Sequence, residues 1–304
     1  MASFFDEINK NKMKSILLML IFGLFFAGIV YFVDIIFGGG LIGLAAGIIL
    51  IIIYAFVIYA TGDKLVLKIS RAKPADKSQY QELYDIVDEL SAGLQISPPP
   101  KIYIINDPNP NAFATGRNKK HASITVTTGL LNMMNHEELE GVISHELSHI
   151  YNNDIQFMLV ATVFAGIIGL IAALFRNMLF FGGFNVGRSR NSGESTLLLL
   201  VLAVVIGVFA AIFATLLKLA ISRRREYMAD ANGARITRAP KYLANALKKI
   251  QAYENNPNAT PVKSANEFTA SLYFANPLKK KSIMNLFSTH PPIEDRIKKL
   301  EEMY

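Results

Sequence analysis

Two histidines and a glutamate occur together in the chain as His145, Glu146 and His149, in the pattern HExxH. Residues four apart share one face of a helix, so both imidazoles can bind the same metal ion. Glu146 lies beside them and can take a proton from a water molecule that the metal activates. The spacing therefore predicts a hydrolytic zinc site, although a helix with two surface histidines would show the same pattern.

A second pair of candidate residues, Glu226 and Asp230, has the same helical spacing. A carboxylate such as Glu226 can complete a zinc site as its third ligand, and Asp230 can orient a ligand histidine through a hydrogen bond. The alternative for Glu226 is a surface ion pair with Arg223 or Arg224, which precede it.

The elements that must position these residues belong to an apolar chain. It has 304 residues, of which 52% are hydrophobic and 18% charged, and its mean hydropathy is +0.31. This composition excludes a disordered chain and disfavours an ordinary soluble enzyme. The absence of cysteine excludes disulfides, thiolate metal sites and cysteine nucleophiles. The net charge is +7, but no aromatic residues interleave with the basic ones, so nucleic-acid binding is not predicted.

Four apolar stretches have the length of membrane spans, at residues 15–35, 41–61, 156–180 and 195–218. A cleaved signal peptide is the alternative for the first stretch, but its apolar run is too long. Lysines and arginines cluster before the first span and after the second and fourth, which predicts that the N-terminus and the polar segments face the cytoplasm. Arg176, Arg188 and Arg190, in the loop 176–194 on the other side, depart from this pattern. Full crossing by the third and fourth spans, and the role of Asp34, stay open.

The spans divide the chain into four parts. These are 1–61, an N-terminal segment with a transmembrane hairpin; 62–154, the first part of a catalytic domain with the HExxH helix; 155–218, a second hairpin; and 219–304, the rest of the catalytic domain, with the third ligand and the C-terminal helices.

Within the polar parts, residue periodicity predicts both helices and short strands. The predicted helices cover 78–95, a segment from Asn135 into the third span, a segment from the fourth span to about residue 234, a segment starting at Pro240, 264–275 and 292–303. The predicted strands are 101–106, 112–115 and 123–127. The fold class is therefore α+β, a mainly helical integral membrane protein with about four transmembrane helices and a small β-sheet in its cytoplasmic domain.

The chain resembles the HtpX family of bacterial membrane zinc metalloproteases, relatives of the CaaX prenyl protease. The motifs that carry this resemblance occur in the same order as in the family. They are the early pair of spans, 111–116 (NAFATG), 145–149 (HELSH) followed by Asp154, 225–230 (REYMAD) and 289–292 (THPP). The resemblance covers nearly the whole chain and shows no departure at the metal positions.

This resemblance implies a gluzincin-like protease domain that holds one Zn²⁺ through His145, His149 and Glu226, with Glu146 as general base. It also implies a zinc endopeptidase of a bacterial inner membrane that removes misfolded or damaged membrane proteins on the cytoplasmic side. The expected partners are unfolded or membrane-protein substrates and the lipid bilayer, and no oligomeric state is predicted.

Further residues are assigned to the same reaction. His290 and Arg296 are candidate donors to the oxyanion, since the related prenyl protease has a similar pattern, although His290 could equally be a packed residue. Asp154 is expected to orient a ligand histidine or, alternatively, to cap the polar end of the third span.

Substrate is expected to add as a strand to a sheet edge supplied by 111–116 and 122–127. Asn111, Ala112 and Phe113 would contact it there, although Asn111 could equally be an ordinary turn residue.

Two rival functions remain at this stage. One is an intramembrane zinc protease, which would place HExxH inside a span, whereas here the motif precedes one. The other is a membrane transporter or scaffold with a structural zinc site, which would normally close the fourth coordination position with a protein ligand.

Overall fold

The computed structural model describes residues 40–159, 223–256, 262, 272–275 and 291–303, together with isolated helical positions between 13 and 31. The helices are α1 (Gly40–Ile69), α2 (Gln81–Gly93), α3 (Thr128–Met133), α4 (His136–Tyr151), α5 (Arg223–Thr237), α6 (Pro240–Glu254) and α7 (Ile293–Glu301). The strands are β1 (Lys73–Pro74), β2 (Lys101–Ile105), β3 (Ala112–Gly116) and β4 (Ala122–Thr127). A short 3₁₀ helix, Lys119–His121, connects β3 to β4.

The four strands form one mixed sheet in the order β1-β2-β4-β3. β2 and β4 run parallel, whereas β1 is antiparallel to β2 and β3 is antiparallel to β4. β3 is therefore an edge strand of this sheet. The described part of the chain is mainly helical with a small sheet, which confirms this part of the predicted fold class.

The helix α4 lies at the centre of the described fold, packed against α5, α6, α2 and β3. Its approach to α6 is very close, because a Cβ built on Gly141 would lie 2.6 Å from the backbone nitrogen of Leu243. The buried core around α4 includes Val142, Ile143 and Leu147. Packing on several sides restricts the rotamers available to the side chains of this helix.

The predicted element boundaries need two corrections. The helix that begins at Asn135 does not run on into the third span, because α4 ends at Tyr151 and Asn153 adopts a left-handed conformation with φ of 59°. Residues 273–275, which the periodicity placed in a helix, form a bend instead. Their backbone groups bond to other parts of the chain, as described below.

Most of the predicted spans lie outside the described residues, which omit 160–222 and most positions before residue 40. The span predicted at 41–61 falls within α1. Among the described residues, no helix combines the length and the apolar character needed to cross a membrane. The number of spans, the cytoplasmic placement and the division into four parts stay predictions.

Candidate active site

The helix α4 is capped at its N-terminus by its own side chains. Asn135 accepts a hydrogen bond from the backbone N–H of Glu138, and the Glu138 carboxylate accepts one from the N–H of Asn135. This capping box satisfies two backbone donors that a helix start otherwise leaves unpaired. Lys249 of α6 binds the same carboxylate and the carbonyl of Met133, which ties the start of α4 to a neighbouring helix.

Three donor atoms from two helices converge beside the sheet. The Nε2 atoms of His145 and His149 lie 3.1 Å apart, and the two oxygens of Glu226 lie 3.8 Å and 3.5 Å from them. All three side chains are buried. They form a group that could hold one metal ion, as the HExxH motif and Glu226 predicted.

A carboxylate stands behind each of the two histidines. Nδ1 of His145 lies 2.9 Å from Asp230 Oδ1, and Nδ1 of His149 lies 3.0 Å from Asp154 Oδ2. An ionised carboxylate only accepts hydrogen bonds, so the proton of each neutral imidazole belongs on Nδ1. Each Nε2 then directs its lone pair at the shared space, which is the tautomer that metal binding requires.

The turn after α4 explains how Asp154 reaches a residue five positions before it. Residues five apart in a continuous helix lie on different faces. Here the left-handed conformation of Asn153 interrupts the helix, and Asp154 starts a new helical stretch next to His149. Asparagine tolerates this conformation better than most residues do, so the sequence carries a weak signal for the turn.

Asp230 is itself fixed by Arg296. The guanidinium donates from Nε to Oδ2 at 2.9 Å and from Nη2 to Oδ1 at 2.7 Å, and both side chains are buried. Burial alone would raise the pKa of Asp230, but the charge of Arg296 and the hydrogen bonds with His145 and Arg296 together outweigh burial and hold that pKa below its usual value. Nη1 of Arg296 donates to the carbonyl of Phe274 at 3.1 Å. In this structure Arg296 orients Asp230, while its role as an oxyanion donor stays a prediction.

The donor set fits a tetrahedral cation. Ligand atoms about 2.0–2.2 Å from zinc in tetrahedral geometry are separated by about 3.3 Å. The distances among the two Nε2 atoms and the Glu226 oxygens range from 3.1 to 3.8 Å. Two imidazoles and a carboxylate are also the ligand types of many catalytic zinc sites, which leave the fourth position open.

The protonation of the two histidines is consistent with a cation site. Burial lowers the pKa of His145 to about 4, and the hydrogen bond to Asp230 offsets only part of that effect. Burial also opposes the charged form of His149, but the bond to Asp154 and the charge of Glu226 raise its pKa to about 9. The two Nε2 atoms lie 3.1 Å apart, so a cation between them would accept both nitrogen lone pairs.

Glu146 is buried and interacts with both the metal-binding group and β3. Burial raises the pKa of its carboxyl to about 7, the charge of His149 opposes this rise, and a hydrogen bond from the backbone of Ala114 lowers the pKa further. A carboxyl that titrates near neutral pH can both accept and release a proton, which is what a general base and acid requires.

The predicted substrate-binding residues line the edge of the sheet nearest the site. Asn111, Ala112 and Phe113 are all buried, and β3 contacts α4. His290, the other predicted oxyanion donor, lies outside the described residues. Sequence reasoning missed Phe274, whose ring centroid lies 4.9 Å from that of His145, because its segment was predicted to be helical.

An HExxH helix, a carboxylate from a second helix and an adjoining edge strand together define the class of HExxH metallopeptidases. Residues 77–304 match the profile of Peptidase family M48. The chain therefore belongs to peptidase family M48 and is a metalloprotease. The alternatives of a transporter, a scaffold and an intramembrane protease of another type are set aside.

Similar proteins agree with this assignment. The chain is 41% identical to a protein named "Protease HtpX homolog" from Caldanaerobacter subterraneus subsp. tengcongensis, over 97% of this chain and 96% of that protein. It is 45% identical to a namesake from Desulfatibacillum aliphaticivorans, over 86% and 81% respectively. The crystal structure of S. mikatae Ste24p has a TM-score of 0.50 at 19% identity, with 96% of this chain and 66% of that one covered, and shares the fold.

Proposed function

We propose that the protein is a zinc-dependent endopeptidase in which His145, His149 and Glu226 hold the metal and Glu146 is the general base. The observation that carries this proposal is the convergence of three buried donor atoms, with a carboxylate behind each histidine. A structural site would not need a buried carboxyl such as Glu146 beside the ligands.

The residues of the chain divide the reaction among them. When bound, a zinc ion supplies a Lewis acid that acidifies water and polarises a carbonyl group. Glu146 takes the proton of the attacking water and later delivers it to the leaving amine. Asp154 and Asp230 keep both imidazoles in the tautomer that binds the metal.

The substrate is proposed to bind as an extended strand along the outer edge of β3, the edge that faces away from β4. Asn111 pairs with β4, since its carbonyl accepts from the N–H of Thr127. Backbone N–H and C=O groups point alternately to the two sides of a strand. Those of Ala112 and Ala114 therefore point to the outer edge of β3, away from β4. A peptide added there would pass next to Glu146, which is already bonded to Ala114.

The proposed setting is the cytoplasmic face of a bacterial inner membrane, with misfolded or damaged membrane proteins as substrates. Support comes from the four apolar stretches at 15–35, 41–61, 156–180 and 195–218 and from the basic residues that border them. The resemblance to HtpX proteases supports the substrate class.

The proposal can be tested with the full chain in detergent and an unfolded, membrane-tethered test protein. Wild type is compared with Glu146→Gln, with zinc content measured on every sample. Loss of a general base is expected to lower kcat by roughly 10²–10⁴-fold while zinc is retained. Glu137→Gln, an exposed change on the same helix, is the matched control and is expected to cut like wild type.

Cleavage by zinc-loaded Glu146→Gln at the wild-type rate would contradict the assigned base. Zinc binding that survives removal of His145, His149 or Glu226 would contradict the assigned ligands.

A further inference from the structure

The outer edge of β3, which faces away from β4, is already hydrogen-bonded to a peptide segment of the same chain. Residues 272–275 (LYFA), here termed the strap, bond to this edge. The N–H of Phe274 donates to the carbonyl of Ala112 at 2.8 Å. The side-chain amide of Asn111 donates to the carbonyl of Ala275 at 2.9 Å, and its oxygen accepts from the Ala275 N–H at 3.1 Å. Asn111 therefore binds the peptide backbone of the strap, whereas its contact with substrate stays a prediction.

The contacts of the strap follow the register of an added antiparallel strand. Ala275 meets Asn111 and Phe274 meets Ala112, as above, and the ring centroid of Tyr273 lies 5.0 Å from that of Phe113. Each of the three residues predicted to contact substrate is engaged by one residue of the strap. All four strap residues are buried.

The strap also contacts the metal-binding group, at His145. The Phe274 ring lies edge-on to the imidazole of His145, and the Arg296 guanidinium lies 4.8 Å from the centre of the same ring. Glu146 is only 2% exposed. A protease must admit a polypeptide to its general base, so the described arrangement is closed to substrate.

We propose that the strap is an internal occupant of the substrate site, and that it must leave the edge of β3 before a polypeptide can bind. This inference rests on the proposed strand addition of substrate at the same edge. When the strap leaves, Arg296 Nη1 loses the carbonyl of Phe274 as its hydrogen-bond acceptor. This N–H group could then donate to another acceptor close to the reacting groups. The predicted oxyanion role of Arg296 would then belong to the open form.

Hydrogen exchange on zinc-loaded Glu146→Gln tests the proposal, because this full-length variant binds a peptide without cutting it. The probe is a ten-residue unstructured peptide whose binding is verified by fluorescence anisotropy. The amides of Phe274 and Ala275 are expected to lose protection by about tenfold or more on saturation, as released hydrogen bonds do. The amide of Gly116 at the outer edge is expected to gain protection.

The outcomes separate the two proposals. Peptide binding that protects Gly116 but leaves the strap amides protected would contradict the proposal that the strap must leave, and would not contradict strand addition at β3. Peptide binding that changes neither would overturn strand addition at β3 and the strap with it.

A kinetic comparison provides a second, independent test. Tyr273→Ala weakens the attachment of the strap, whereas Ile105→Ala removes apolar volume from the same buried cluster but lies on β2. Tyr273→Ala is expected to raise kcat/KM for a short peptide several-fold, mainly through KM, while Ile105→Ala does not raise it. Equal or lower kcat/KM in Tyr273→Ala than in Ile105→Ala would contradict the proposal.

Discussion

At the scale of single residues, the tautomer of each histidine depends on one carboxylate. Replacing Asp154 by asparagine keeps its size but removes the charge that holds the proton on Nδ1 of His149. We expect Asp154→Asn to lower zinc affinity about 10–100-fold, as seen when such partners of metal ligands are lost. Competition with a chelator measures this affinity. Asp85→Asn, on the exposed face of α2, is the control and should bind zinc like wild type.

The same reasoning distinguishes two roles for Arg296. Arg296 forms two hydrogen bonds with Asp230. If orienting Asp230 is its role, then replacing Arg296 changes zinc affinity only because it disturbs that carboxylate. Arg296→Lys and Asp230→Asn should then each weaken zinc binding, and the double variant should lose much less than the two losses combined. Fully additive losses in this cycle would point instead to a separate action of Arg296.

At the scale of elements, the end of α4 depends on the backbone conformation of Asn153, with φ of 59°. Glycine adopts this conformation without strain, whereas a β-branched residue does so rarely. We expect Asn153→Val to lower the free energy of unfolding by about 1–2 kcal/mol and to weaken zinc binding through Asp154. Asn153→Gly should retain zinc affinity. Chemical denaturation and chelator competition check both variants, and equal behaviour of the two would contradict the argument.

The contact between α4 and α6 gives a second prediction at this scale. A methyl group on Gly141 would press on the backbone of Tyr242 and Leu243, neither of which can move as a flexible side chain does. Gly141→Ala is expected to lower the free energy of unfolding by about 1–3 kcal/mol. Gly93→Ala meets nothing within 4 Å and should be neutral or stabilising by up to about 1 kcal/mol. Thermal denaturation of both variants separates crowding from helix propensity.

Local patterns predicted the elements that carry the metal-binding residues. The spacing of His145 and His149, and of Glu226 and Asp230, is a property of a single helix turn and is visible in sequence. The closeness of Phe274 to His145 is not visible in the sequence, because it depends on pairing between segments far apart in the chain. Strand β1 is only two residues long and has no periodicity to detect.

At the scale of the whole molecule, the site gathers more buried negative than positive charge when both histidines are neutral, as metal binding requires. The other buried ionisable groups near it are the carboxyls of Glu146, Asp154, Glu226 and Asp230 and the guanidiniums of Arg225 and Arg296. A divalent cation balances this set, and buried charge without a partner costs several kcal/mol. Metal binding and stability of the fold are therefore linked.

Metal removal tests this linkage. A ligand present at a thousandfold excess over its Kd stabilises the folded state by about 4 kcal/mol, so chelation should lower the apparent Tm of wild type by several degrees. Glu146→Gln keeps all three proposed ligands and should show the same drop. His149→Ala should already melt low and respond little to chelator. An unchanged Tm in wild type after verified loss of zinc would contradict the linkage.

The strap has a consequence for inhibitor chemistry. Its four residues, Leu-Tyr-Phe-Ala, are a sequence that the edge of β3 binds in a defined antiparallel register. A short peptidomimetic of this sequence with a zinc-chelating group near the phenylalanine would compete with the strap for its own position. The sequence of the strap is thus a starting point for the design of an active-site inhibitor.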